Sequence, residues 1–159
     1  MAVAGLLVLL VRAPVPPTGL EAAGGRRVFG GERVAAIMMR WGDRELHASR
    51  DGSGWAIDGR AVPSATATAL DDLLATLGRL RAVDVFRPHD AGAYGLDRPR
   101  GTIELQGGAH VRRLTIGALN TAGSAFYARR EGDGRILQVG SGIDSEIERV
   151  FYAVDHQSL

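Results

Sequence analysis

Along residues 44–50, Leu46 and Ala48 alternate with Glu45, His47 and Ser49. That two-residue period predicts a strand with one face buried. Residues 34–41, rich in Val, Ile and Met, predict a partner strand, joined to it by a turn at Gly42-Asp43. A loop at residues 51–54 leads to a short third strand over 55–58, with Trp55 and Ile57 on one face. The period then changes. Leu70, Leu73, Leu74, Leu77 and Leu80 recur at three and four residues, which predicts a helix opened by Pro63-Ser64, with Ser64 as its cap, and ending near Arg81. Residues 83–86 predict a short extended piece.

The second half follows the same order. Ile103 and Leu105 mark a strand over 102–106, Gly107-Gly108 a hairpin signal, and Leu114 and Ile116 a strand over 111–116. Strands over 125–130 and 135–139 flank the turn Gly132-Asp133-Gly134. A closing helix runs from about Ser141, with Ser141-x-x-Asp144 as a capping box and Ile143, Ile147, Val150, Phe151 and Val154 as its apolar stripe. Each half is a run of antiparallel strands and then a helix. The fold class expected is therefore α+β, an antiparallel sheet with helices packed on one face. Links as short as these exclude a parallel doubly wound sheet, which needs helical crossovers.

The N-terminus stands apart from this pattern. Residues 1–11, MAVAGLLVLLV, form an unbroken apolar and glycine run, closed by Arg12 and by Pro14, Pro16 and Pro17. A full span needs about 20 apolar residues, and no basic stretch precedes the run. Residues 1–12 are expected to be the end of a truncated signal or membrane anchor, retained rather than cleaved. The alternative is a helix packed on the core. Residues 13–25, with three prolines and three glycines, are expected to be a linker. A single domain should then fill residues 26–154, with a tail at 155–159.

Composition narrows the chemistry. All 19 basic residues are arginine, against 18 acidic ones, for a net charge of +1. The balance leaves no basic excess for nucleic acid. Without lysine, Schiff-base and phosphate-loop lysine chemistry is excluded; without cysteine, so are disulfides, thiolate nucleophiles and cysteine metal sites. His47, His110 and His156 show no metal-ligand spacing, so neither a metal nor a cofactor is expected. Gly140-Ser141-Gly142 lacks the nucleophile-elbow frame, because Val139 stands where its first glycine is required.

Tyr94-Gly95-Leu96-Asp97-Arg98-Pro99 reads as a structured turn. Gly95 can take positive φ, Leu96 can plug the core and Asp97 can accept backbone N–H groups. The functional alternative has Tyr94 and Asp97 lining a ligand groove. Together with Gly54-Trp55-x-Ile57, Leu114-x-Ile116-Gly117 and Phe126-Tyr127-Ala128-Arg129, this segment resembles the bacterial domain-of-unknown-function 4340 family, over roughly residues 28–154. Trp55, Gly95, Leu96, Pro99 and Gly117 carry its pattern. The resemblance implies a membrane-anchored or exported bacterial protein. Some relatives are encoded beside gliding-type ABC transporter components, which implies an accessory role. The family has no established catalytic residues to carry over.

The expected function is thus a non-enzymatic, envelope-associated interaction domain, with a membrane protein or transporter subunit as partner and the domain outside the cytoplasm. Arg112-Arg113 and Arg129-Arg130 place at least one arginine of each pair on an exposed strand face. Arg112 and Arg129 are therefore candidates for touching anionic lipid or an acidic surface, against the plainer reading as solvated edge charges. Two alternatives stand beside this: a hydrolase using His89 and Asp97, and a domain holding a small apolar ligand between sheet and helices.

Overall fold

The computed structural model describes residues 27–29, 33–90 and 92–157. The expected anchor, the whole of the expected linker and the end of the tail lie outside them. No helix among the described residues is long and apolar enough to cross a membrane.

The strands are β1 (Ala36–Trp41), β2 (Arg44–Asp51), β3 (Gly54–Ile57), β4 (Arg60–Ala61), β5 (Ala82–Phe86), β6 (Gly101–Gly107), β7 (His110–Leu119), β8 (Ala125–Arg130) and β9 (Ile136–Gly140). The helices are α1 (Ser64–Arg79) and α2 (Ile143–Asp155). Among the described residues one nine-stranded sheet has the order β4-β3-β2-β1-β6-β7-β8-β9-β5, and every neighbouring pair in it is antiparallel. The two halves therefore join edge to edge through β1 and β6, with Trp41 opposite Gly101 and Ala36 opposite Gln106.

Both helices cover the same face. The stripe of α1 buries Leu70, Leu73 and Leu77 completely, while Leu74 and Leu80 are half-buried. Ile143, Ile147, Val150 and Phe151 of α2 join them over Ile37, Met39, Ile103, Leu114, Ile116 and Val139 of the sheet. Each large side chain so buried contributes about 1.5–3 kcal/mol relative to exposure. Arg149 reaches Asp72 at 3.1 Å across the helix pair.

The helix starts differ from expectation. Pro63, not Ser64, precedes α1, and no side chain caps it. Proline at that position is already set in an extended φ/ψ, so the helix opens without an oxygen ligand. The capping box at α2 does not form either. Gly142 takes the cap position without a side-chain bond, and the carboxylate of Asp144 is engaged by Trp41 and Arg100.

The path from β5 to β6 shapes the other face. β5 lies at the edge beside β9, whereas β6 lies between β1 and β7. The chain must return across β9, β8 and β7, and residues 87–90 and 92–100 do so as a strap over the helix-free face. The Tyr94 ring packs edge-on against Phe86 of β5 (5.3 Å between centroids) and Tyr127 of β8 (4.8 Å). Tyr127 alternates with the core residues Phe126 and Ala128, so it projects away from the helices. Leu96, Ala125 and Ile136 are buried yet stand apart from the main core. At its crossing of β7 the backbones nearly touch. A Cβ on Gly117 would lie 2.3 Å from the Tyr94 carbonyl oxygen, and one on Gly95 (φ +69°) 2.9 Å from the Ala118 nitrogen. A bulge between Ile116 and Leu119 accompanies this contact.

Candidate functional site

The strap covers only part of the helix-free face. Beside it, strand register sets polar side chains in rows. Arg40 of β1 is opposite Glu45 of β2 on one side and Thr102 of β6 on the other. Thr102 is opposite Thr115 of β7, and Thr115 opposite Arg129 of β8. The next row runs from His47 through Met38 and Glu104 to Arg113. Alternation explains why these residues share a face: each is flanked in sequence by core-facing neighbours such as Met39, Ile103 and Leu114.

These rows floor a trough of about 430 Å³, bounded along the strap by Leu96 and Pro99. Its acidic groups are engaged. Glu104 accepts two hydrogen bonds from Arg113, at 2.8 and 2.5 Å, and Glu45 holds His47 Nε2 at 2.9 Å. The hydrogen bond from Arg113 to Glu104, with the charges of Glu104 and Glu131, holds the Arg113 guanidinium on its proton more firmly than usual. Arg40 and Arg129 have no hydrogen-bond or ion-pair partner among the described residues, and neither have the hydroxyls of Thr102 and Thr115.

Around the β8–β9 turn the surface continues as an arginine-rich cleft of about 730 Å³, with Arg27, Arg112, Arg113, Arg130 and Arg135 over Val28, Phe29 and Val111. Asp133 organises one wall. It accepts from Arg135 at 2.9 and 2.8 Å and from Arg130 at 2.9 Å. Those bonds, that from Arg135 first, hold its carboxyl far below the usual carboxylate range against the opposing effect of burial.

The sequence-predicted residues fall in different places. Arg129 lines the trough, whereas Arg112, opposite Leu105, faces the helix side and lines the larger cleft. The two are not brought together. Tyr94 is half-buried in the aromatic trio with Phe86 and Tyr127. Asp97 is exposed, and its Oδ1 accepts the N–H of Arg98 at 3.0 Å. His89 is exposed and makes no hydrogen bond to Asp97; neither residue lines the trough or the cleft. Trp55 is buried and donates to Asp71 at 3.0 Å. Among the described residues no group of His, Asp and Glu is arranged to hold a metal ion.

Arg40, Thr102 and Thr115 are not singled out by sequence reading. Each is the polar half of an ordinary alternation, and their meeting depends on pairings between distant strands.

The fold defines an α+β domain with a wide antiparallel sheet, covered by helices on one face and strapped on the other. A profile described as "Domain of unknown function (DUF4340)" matches residues 55–151, more than half of the chain, which belongs to that family. No curated protein and no solved structure matches it.

Proposed function

We propose that this chain is a non-enzymatic interaction domain of the bacterial cell envelope, held outside the cytoplasm by its N-terminal segment. Its partner on this reading is a membrane protein, and its role that of an accessory component of a gliding-type ABC transport system. The observation that carries the reading is the trough. A sheet whose other face carries both helices leaves a charged, partly unpaired surface open beside the strap. Such a surface suits recognition by a polar partner. The apolar run at residues 1–11 supports the envelope location. The hydrolase alternative has less support, since His89 and Asp97 are exposed and not hydrogen-bonded to each other. A small apolar ligand between sheet and helices would have to displace side chains such as Leu70, Leu73 and Ile147, all fully buried.

Site-specific photo-crosslinking from the intact membrane tests this. A crosslinker at Thr102 should capture a membrane protein, and one at the exposed Ser145 of α2 should not. Equal capture from both positions, or none from Thr102, rejects the reading.

A further inference from the structure

We propose that the trough is a site for a phosphate-class oxyanion, held between Arg40 and Arg129 above the hydroxyls of Thr102 and Thr115. The inference rests on the reading of the helix-free face as a binding face and names what that face binds.

Register supplies the geometry. Arg40, Thr102, Thr115 and Arg129 stand in one row on four adjacent strands. Three strand spacings of about 4.8 Å separate the two arginines, roughly 14 Å between backbones. Two long side chains entering from opposite ends of such a row can meet over its middle. The middle is a cross-strand threonine pair, whose Cβ atoms lie about 4.5–5.5 Å apart. The four groups present donors from both sides and from below.

Charge points the same way. Of the carboxylates of the trough, Glu104 is ion-paired with Arg113 and Glu45 is hydrogen-bonded to His47. Arg40 and Arg129 have no such partner among the described residues. In the larger cleft, by contrast, Asp133 already occupies Arg130 and Arg135. A carboxylate offers two coplanar oxygens, which one guanidinium fork satisfies. A phosphate group offers more oxygens in a tetrahedral array, which matches two guanidiniums and two hydroxyls. The 430 Å³ trough lies within the range of roughly 300–1,000 Å³ that small-molecule sites occupy.

The test uses the full chain, titrated with inorganic phosphate at constant ionic strength with chloride as the control anion. A parallel arm compares its retention on phosphatidylcholine vesicles with and without phosphatidylglycerol, so that any contribution of the N-terminal segment is common to both. Saturable phosphate binding is expected. Arg40→Gln and Arg129→Gln should each weaken it about tenfold, Thr115→Val should weaken it less, and Arg60→Gln on the edge strand β4 should leave it unchanged. Unaltered circular dichroism confirms that the variants fold. A preference for phosphatidylglycerol that Arg40→Gln and Arg129→Gln abolish assigns the site to a lipid headgroup; phosphate binding without that preference assigns it to a free phosphate compound. Absence of both, or binding that survives both substitutions, overturns the site. Crosslinks from Thr102 in a protein that binds neither probe sink the oxyanion and spare the binding face; anion binding without crosslinks keeps the oxyanion site and sinks the membrane-protein partner.

Discussion

The indole nitrogen of Trp41 donates to Oδ1 of Asp144 at 3.1 Å, tying the centre of the sheet to the first turn of α2. Trp55 ties β3 to α1 in the same way, donating to Asp71 at 3.0 Å. Each carboxylate also takes an arginine that lies over the ring of its tryptophan. Arg100 bonds Asp144 at 3.2 Å and stands 5.1 Å from Trp41, and Arg50 bonds Asp71 at 2.9 Å and stands 5.4 Å from Trp55. Both helices are thus docked on the sheet by a tryptophan, an aspartate and an arginine.

Removing the acceptor leaves a buried indole N–H unpaired. Asp144→Ala should lower unfolding free energy by about 1–3 kcal/mol in urea titration, with Asp144→Asn intermediate because its amide oxygen still accepts. Stability within about 0.5 kcal/mol of the parent would show that the tether does not hold the helix.

The crossing of strap and β7 has no room for a methyl group. Gly117→Ala should cost about 1–3 kcal/mol through overpacking against the Tyr94 carbonyl. Gly95→Ala should cost at least as much, since it adds a left-handed backbone penalty to the clash at Ala118. Gly140→Ala, with open space around it, serves as the near-neutral control. Equal midpoints for all three in denaturant would contradict the packed crossing.

Leu96 is 5% exposed and anchors the strap. Leu96→Ala should destabilise the protein by about 2–5 kcal/mol and speed proteolytic nicking within residues 87–100. His89→Ala and Asp97→Ala, both at exposed positions of the same segment, should change stability by no more than about 0.5 kcal/mol. Strong destabilisation by either would mean that the strap is held otherwise than through its apolar residue.

Asp133 predicts a sign for acid behaviour. Its folded carboxyl is held far below the usual range by Arg135 and Arg130. Its contribution is therefore complete above the unfolded value of about 3.9 and is lost as pH falls from there toward the lower folded value. Asp133→Asn should be less stable than the parent at neutral pH, and the difference should narrow on acidification below about pH 4. Parallel stability curves for the two proteins from pH 7 to pH 2 would remove this role for Asp133.

Elements dominated by their own periodicity were legible in the chain. The leucine stripe of α1, the alternation in β2 and the apolar stripe of α2 each need only neighbouring residues to be read. Turn placement was less so, and it matters more. A turn on Gly107-Gly108 would pair Thr102 with Arg113; the turn over Gly108-Ala109 pairs it with Thr115 and so builds the floor of the trough. The extra length of β7 beyond Ile116 escaped for a similar reason. The bulge at Gly117-Ala118 goes with the close approach of the strap above it, and the chain marks it only with a single glycine.

By itself the sequence determined the α+β class, the faces of both helices, most strand positions and the absence of lysine and cysteine chemistry. Those properties follow from side-chain period and residue type, which act over a few positions. Only the tertiary structure decided that β5 crosses to the far edge, that the segment around Tyr94 and Leu96 must return over the helix-free face, and that Arg40 shares a row with Arg129, 89 positions away. Strand order and register are settled by burial summed over the whole sheet, and no local stretch of chain contains that sum.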